Sequence, residues 1–499
     1  MKIDTAACDQ AFTTHDARFD GRVFAAVQTT GIYCRPLCPA RPNRENVSYY
    51  LSAAAAQAAG FRPCLRCRPE LAPNIAVWHG TAETVTRALA LIEAGALDDG
   101  DVEGLAQTLG LSGRQLRRLF KQHLGATPIA VAQTRRVLLA KQLIYETNLT
   151  MTDVALAAGF GSVRRFNETF QRLFQRPPGT LRRAKGTEQS AAAVAIQLAY
   201  RPPYDWDAIL AFLATRAIPG VEVVADNHYA RTIAIGELAG TLVVAPTAGA
   251  TLQATIRFPR LEALPRIIAR VRAMFDLAAN PTLIAAHLSA DPRLAPLVAA
   301  RPGLRVPGAW DGFELAVRAI LGQQITVMGA RKLAGRLVAT YGDRFDDPAA
   351  RAIGLTHLFP APAQLADADI AALGVMPRAR AAALSSLAGA VATDPALLGP
   401  YRDLAGAVAT LRSLPGIGEW TAHYVAMRAL READAFPAAD VGLLRAMTDS
   451  AGRRPTGADL FARAELWRPW RAYAAMHLWA SMMPVESRSQ ATARDQHAA

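Results

Sequence analysis

The sequence predicts a multidomain, mainly α-helical chain: a small cysteine-rich α/β domain, an all-α domain of two helix-turn-helix units, and an α+β block in which an antiparallel sheet precedes a helical domain. Three observations carry this reading. All five cysteines fall within the first 67 of 499 residues. From about Glu83 to Arg183 the chain repeats itself at an offset of 50 residues. Further on, alternating apolar runs give way to helical periodicity punctuated by Pro and Gly. With 51% apolar residues, each block has material for its own core. The expected boundaries are 1–76 and 82–185 for the first two domains, a linker over 186–195, the sheet over 196–268, the helical domain over 269–485, and a disordered tail over 486–499.

No segment approaches the ~18 continuous apolar residues of a membrane helix. Met1 to Gly21 also lacks the apolar run of a secretory signal. A cytoplasmic location without a membrane partner is therefore expected. The net charge of +13 is unevenly spread, with 24 Lys+Arg against 15 Asp+Glu in residues 1–185. A basic front end predicts a polyanionic partner, without distinguishing DNA from RNA or a membrane surface.

In the first block the cysteines fall as Cys34-x3-Cys38 and Cys64-x2-Cys67, a pair-and-pair spacing that suits tetrahedral Zn²⁺. A disulfide framework is the alternative, disfavoured in a cytosolic chain. Helix signal is confined to Ser52–Ala59, and so small a module draws much of its folding free energy from its metal. Cys8 lies outside the pattern. The text Thr29-Thr30-Gly31-Ile32-Tyr33-Cys34-Arg35-Pro36-Leu37-Cys38-Pro39-Ala40-Arg41, then Gly60-Phe61-Arg62-Pro63-Cys64-Leu65-Arg66-Cys67, resembles the N-terminal domain of the Ada family of alkylation-response proteins. The resemblance implies that all four cysteines bind zinc and that Cys34 takes a methyl group from a DNA methylphosphotriester. Metal coordination keeps a thiol deprotonated and so nucleophilic at neutral pH. Four thiolates on one zinc leave about two negative charges, by ligand count. Methylation of Cys34 removes one, weakening repulsion of DNA phosphate, so repair itself can act as a switch. The expectation is an exposed Cys34 thiolate beside three buried ligands. A purely structural zinc knuckle is the plainer reading.

In the second block Ser112, Arg114, Leu116, Phe120, Leu124 and Pro128 recur as Ser162, Arg164, Phe166, Phe170, Phe174 and Pro178. Each copy is an apolar stripe at i, i+4, i+8 behind a Ser N-cap. A short helix precedes each, Val102–Leu109 and Thr152–Ala158, followed by a turn at Gly110 or Gly159. These are two helix-turn-helix units. The second, Gly159-Phe160-Gly161-Ser162-Val163-Arg164-Arg165-Phe166-Asn167, resembles the AraC-type DNA-binding domain. Arg114, Gln115, Arg117 and Arg118 on one helix, and Arg164, Arg165 and Asn167 on the other, point away from the stripe and are candidate contacts to double-stranded promoter DNA. Transcriptional activation would add RNA polymerase as a partner. A generic solvated basic face is the alternative.

The third block opens with a helix over Asp207–Arg216 and alternation at Leu252, Ala254, Ile256 and Phe258, the mark of an antiparallel sheet with one buried face. From about Leu261 to Trp479 the pattern is helical. Within it, Leu414-Pro415-Gly416-Ile417-Gly418-Glu419-Trp420-Thr421-Ala422-His423-Tyr424 predicts a tight turn that opens a helix near Glu419. Backbone N–H groups of Gly416 and Gly418 and the positive helix end make an anion seat there. Phe436-Pro437-Ala438-Ala439-Asp440 then brings a lone carboxylate back towards it. This resembles the helix-hairpin-helix and Gly/Pro-Asp signature of base-excision DNA glycosylases. The block as a whole, through Pro202-Pro203-Tyr204-Asp205-Trp206, Arg301-Pro302-Gly303-Leu304-Arg305 and Ala319-Ile320-Leu321-Gly322-Gln323-Gln324, resembles the 3-methyladenine DNA glycosylase II family over nearly its full length.

That resemblance implies base flipping from damaged DNA, with Trp420, Tyr424 and Trp479 as the aromatic pocket for a cationic alkylpurine and Asp440 as the carboxylate that drives base release. Core packing and a structural carboxylate are the alternatives. Where the family wedges an apolar side chain into the gap left by the flipped base, this chain offers Gln323-Gln324, with Gln324 the candidate to fill the gap and hydrogen-bond the orphaned base. Trp420 occupies the position of the Schiff-base Lys of bifunctional lyases, so base removal without strand cleavage is expected. With no Cys after Cys67, the chain lacks the ligands of the iron-sulfur lyase branch and the reactive Cys of the alkylguanine methyltransferase that ends full-length Ada proteins. Three readings compete: an alkylation sensor-regulator fused to its repair glycosylase, a regulator whose C-terminal domain only binds DNA, and a glycosylase anchored by the zinc and helix-turn-helix modules.

Overall fold

The computed structural model describes residues 3–73, 81–182, 193–399, 401 and 403–482. The expected tail, 486–499, and most of the expected linker lie outside them. Among the described residues, no helix is long and apolar enough to cross a membrane.

The first domain is a four-stranded sheet of order β3-β1-β2-β4, built from β1 (Phe24–Val27), β2 (Ile32–Cys34), β3 (Val47–Tyr50) and β4 (Arg62–Pro63). Strands β1, β2 and β3 pair antiparallel and β4 joins β2 in parallel. Helix Ala53–Ala58 starts where expected, its Ser52 hydroxyl accepting from the Ala55 N–H at 3.0 Å. A second helix, Thr5–Thr13, was not expected. Asp4 caps it, and Phe12 packs against the cysteine cluster, so tertiary contact rather than local pattern stabilises it.

The two helix-turn-helix units form as Val102–Thr108 with Gly113–Leu124, and Met151–Ala157 with Val163–Phe174. Ser112 and Ser162 cap the second helix of each, accepting from the Gln115 and Arg165 N–H groups at 3.3 and 3.2 Å. Leu116, Phe120 and Leu124 are buried, as are Phe166, Phe170 and Phe174. Helix Pro128–Glu146 joins the units. It is buried on several sides, which is why its sequence shows no clean apolar stripe.

The third block begins with a five-stranded antiparallel sheet of order β5-β9-β8-β7-β6: β5 (Val194–Ala199), β6 (Glu222–Ala225), β7 (His228–Ile235), β8 (Leu238–Pro246) and β9 (Thr251–Arg257). Leu252, Ala254 and Ile256 face the core, as the alternation requires. Strand β5 begins within the expected linker, and helix Leu264–Met274 runs across the expected boundary at 268.

The blocks are not separated by solvent. One apolar core runs from Phe166 and Phe170 of the second helix-turn-helix unit, through Ile196, Leu242 and Ile256 of the sheet, to Phe436, Trp467 and Leu478 of the C-terminal helices. A second core under the glycine turn contains Phe313, Leu384, Leu411, Ile417 and Val425. Polar ties cross the seams. Gln142 Nε2 donates to the Gln197 carbonyl at 2.6 Å, the Gln197 N–H donates to Glu146 at 2.9 Å, and Glu146 also pairs with Arg68 of the first domain.

Candidate functional site

The register of β2 and β4 builds the metal centre. Tyr33 pairs with Pro63 and the Cys64 N–H donates to the Tyr33 carbonyl at 3.0 Å, so Cys34 and Cys64 leave adjacent strands side by side. A turn closed by the Cys38 N–H to the Arg35 carbonyl at 3.0 Å returns Cys38 to the same place. The four sulfurs of Cys34, Cys38, Cys64 and Cys67 lie within 4.8 Å of one another. Tetrahedral zinc with bonds of about 2.3 Å requires sulfurs about 3.8 Å apart, so this all-thiolate set fits Zn²⁺. The Arg66 N–H donates to Cys64 Sγ at 3.3 Å, and Lys141 Nζ, from the helix joining the two helix-turn-helix units, donates to the Cys64 carbonyl at 3.2 Å. Cys8 stands apart; burial first, then Asp4 and Asp9, push its thiol up, away from reactivity.

The expected exposure of Cys34 is corrected by the structure. Cys34 is 7% exposed, like Cys38 and Cys64 a buried residue, and Cys67 is the half-buried one. Cys34 ends a strand inside the sheet, whereas Cys67 sits on an outer bend.

On the helix-turn-helix units Arg114, Gln115, Arg117, Arg118, Arg164, Arg165 and Asn167 are all exposed. Three are more locally engaged than a free surface row suggests. Gln115 closes a capping box, its Oε1 accepting from the Ser112 N–H at 3.0 Å, and Arg117 pairs with Glu103 at 2.9 Å. Arg164 pairs with Glu168 one turn on, at 2.8 Å, in full solvent. Such exposed pairs are screened by solvent and hold the side chain only weakly.

The hairpin forms as helices Leu404–Arg412 and Glu419–Arg428 joined through Gly416 and Gly418. Gly416 has φ +78°, and a Cβ there would stand 2.4 Å from Ala383 Cβ, so no other residue fits without movement. Gly418 is extended, faces open space and opens the second helix without a side-chain cap, so the first N–H groups of that helix have no intrahelical acceptor. Gln323 locks the turn, its Nε2 donating to the Gly416 carbonyl at 2.9 Å and to Thr421 Oγ1 at 3.0 Å. Gln324 beside it has φ +57° and an exposed side chain.

Asp440 caps helix Val441–Ala446, and the structure brings it together with all three predicted aromatics. Trp420 and Tyr424, one turn apart, stack with centroids 5.2 Å apart and planes at 11°. Trp479, on helix Arg471–Ser481, meets Tyr424 edge-on at 6.3 Å and 62°. The indole N–H groups of Trp420 and Trp479 each donate to the Asp440 carboxylate at 2.8 Å. All four residues are half-buried, leaving the group open on one side. Sequence reasoning missed Arg428, which donates to the Tyr424 hydroxyl at 2.7 Å; its i, i+4 spacing from Tyr424 was the available signal. Burial raises the Tyr424 phenol, but the Arg428 and Arg216 guanidinium groups outweigh it and hold the phenol below its ordinary value.

Residues 7–70 match the family described as the metal binding domain of Ada, residues 105–184 a helix-turn-helix domain, and residues 195–311 the AlkA N-terminal domain. Over 488 residues the chain is 40% identical to the "Probable bifunctional transcriptional activator/DNA repair enzyme AlkA" of Mycobacterium tuberculosis, covering 97% of each protein. It is 40% identical over 286 residues to the "DNA-3-methyladenine glycosylase 2" of Escherichia coli, covering 56% of this chain and 95% of that protein. The Escherichia coli "Bifunctional transcriptional activator/DNA repair enzyme Ada" is 41% identical over 165 residues, 32% of this chain and 45% of that one. Among solved structures, the 3-methyladenine DNA glycosylase from Archaeoglobus fulgidus has the same fold, with a TM-score of 0.51 at 22% identity over 57% of this chain and 97% of that one.

Proposed function

The chain belongs to the family of bifunctional transcriptional activator/DNA repair enzymes, and from that membership we propose a DNA alkylation-response protein with two chemistries. Cys34 accepts methyl from a DNA methylphosphotriester and thereby switches on transcription. The C-terminal domain hydrolyses the N-glycosidic bond of alkylated purines such as 3-methyladenine and 7-methylguanine.

At the metal centre, Cys34, Cys38, Cys64 and Cys67 would hold zinc, which when bound would keep their thiols deprotonated. Cys34 Sγ attacks the methyl carbon, the methyl C–O bond breaks, and the phosphate leaves as an ordinary diester. One negative charge is lost from the module, so DNA affinity rises. The helix-turn-helix helices then hold promoter DNA, with Arg118, Arg165 and Asn167 as free contacts, and RNA polymerase is recruited.

At the glycosylase site, Gly416 shapes the turn and Gly418 lets a DNA phosphate approach the start of helix Glu419–Arg428. The damaged base is extruded, at a cost of a few kcal/mol that is least for damaged pairs, and Gln324 fills the vacated place. A cationic purine entering against Trp420, Tyr424 and Trp479 gains about 1–2 kcal/mol per favourable aromatic contact. As the glycosidic bond lengthens, positive charge grows on the sugar, and Asp440 stabilises it or orients the attacking water. Trp420 offers no amine for a Schiff base, so the strand stays intact.

The observation that carries the glycosylase reading is the convergence of Asp440 with three aromatic side chains beside an uncapped helix start. The test is free-base release from methylated duplex by purified protein. Multiple turnovers without strand nicking are expected, and Asp440→Asn should lower the rate by orders of magnitude while duplex affinity is kept. Stoichiometric binding without release, or an Asn variant within about tenfold of wild type, overturns the reading.

A further inference from the structure

A carboxylate has two oxygens and about four lone-pair sites. On Asp440 three of these already have protein donors. Oδ1 accepts from the Leu443 N–H at 2.9 Å and from Trp479 Nε1 at 2.8 Å. Oδ2 accepts from Trp420 Nε1 at 2.8 Å. The donors come from three separate elements, the helix capped by Asp440, the hairpin helix and the C-terminal helix. Tyr424 packs against both indoles, stacked on one and edge-on to the other, so neither ring can swing away alone. Turning the carboxylate about its Cβ–Cγ bond would therefore break at least two charge-assisted hydrogen bonds together.

We infer that Trp420 and Trp479 are positioning residues for base excision: their indole N–H groups aim the Asp440 carboxylate so that one lone pair, on the oxygen that faces Trp420, is left for the sugar cation or the attacking water. The inference rests on Asp440 being the carboxylate of the proposed reaction. It assigns the two indoles a role separate from stacking on the base. Stacking acts on binding and favours cationic purines, whereas aiming the carboxylate acts on the chemical step of every lesion alike. A carboxylate free to turn would lose alignment without loss of charge.

Trp420→Phe and Trp479→Phe separate the two roles, since each removes the N–H donor while keeping an aromatic face for stacking. Single-turnover excision is measured on full-length protein with duplexes carrying 7-methylguanine, which is cationic, or hypoxanthine, which is neutral. Each Phe variant should lose roughly tenfold or more in rate at saturating enzyme, with equal factors for the two lesions and with the half-saturating concentration unchanged. The Trp→Ala variants should lose further, and more on 7-methylguanine. Rates within about threefold of wild type, or a loss that appears in half-saturation rather than in rate, would show that the indoles only pack, a difference below that expected for a charged hydrogen bond. Thermal melts accompany both variants; if one is unfolded at the assay temperature, the other decides. Asp440→Asn run alongside keeps the inferences apart: near-wild-type turnover there removes Asp440 itself from the reaction whatever the Phe variants do.

Discussion

At the scale of single residues, the hydrogen bonds to Asp440 change what truncating an aromatic should do. From stacking and cation–π contact alone, Trp420→Ala or Trp479→Ala would weaken excision of cationic lesions more than of neutral ones. Since each indole also donates to Asp440, excision of neutral lesions should fall too, with an added loss for cationic ones. Paired assays on 7-methylguanine and hypoxanthine duplexes measure both terms. A second residue, His477, is buried in the C-terminal helix with Nδ1 unpartnered. Burial, opposed in part by a backbone hydrogen bond to Leu297 and aided to a lesser degree by the Arg301 charge, pulls its pKa down to about 4. A depressed histidine pKa means the unfolded chain takes up the proton first. The contribution of His477 is thus complete above about pH 6.5 and is lost as pH falls towards 4, at up to about 1.4 kcal/mol per unit. Between pH 7 and pH 5 the melting temperature of the wild type should drop more than that of His477→Gln.

At the scale of elements, the two glycines of the hairpin have different tasks and should fail differently. Gly416 is needed by the fold, with φ +78° and Ala383 against it. Gly416→Ala should cost about 2 kcal/mol or more and lower the melting temperature. Gly418 is extended and has open space where a Cβ would go. Gly418→Ala should leave the melt unchanged and weaken duplex binding, because the methyl group would fill the open space that the proposed phosphate contact requires. Melts and duplex titrations on the two variants distinguish these outcomes. The helix-turn-helix repeat was legible because a Ser cap and an i, i+4, i+8 stripe are local signals. Helix Thr5–Thr13 was not, since its weak pattern is stabilised through Phe12 against the cysteine cluster.

At the scale of the whole molecule, sensor, reader and glycosylase share buried polar links. Arg68, next in sequence to Cys67, pairs with Glu146, which also accepts from the glycosylase strand β5. Lys141 bonds both Glu70 and the Cys64 carbonyl. Removing zinc with a chelator should therefore lower the stability of the first domain most and also loosen the helix Pro128–Glu146, seen as faster amide exchange there than in the hairpin. The switch has its own test. After incubation with methylphosphotriester DNA, mass spectrometry should find methyl on Cys34 and none on Cys38, Cys64 or Cys67. Operator affinity should then rise, most at low salt. Methyl on another cysteine, or no gain in affinity, rules the switch out. Because Cys34 is as buried as Cys38 and Cys64, ligand exposure alone does not select it.

What the sequence alone determined is whatever depends on spacing along the chain or on a match to a family's text: the zinc tetrad, the duplicated helix-turn-helix units, the glycine turn with Asp440 behind it, and, through the resemblance, the grouping of Trp420, Tyr424 and Trp479. These are chemical identities at short range, or long matches of text, and they survive without coordinates. Tertiary structure decided the rest. That Gln115 caps its own helix, that Gln323 rather than Gln324 locks the hairpin, that the indole N–H groups of Trp420 and Trp479 converge on one carboxylate, and that one core crosses the expected domain boundaries are facts about side chains distant in sequence. Periodicity reports which face of an element is buried. It carries no information on what that face meets, because the partner is chosen by packing across the whole chain.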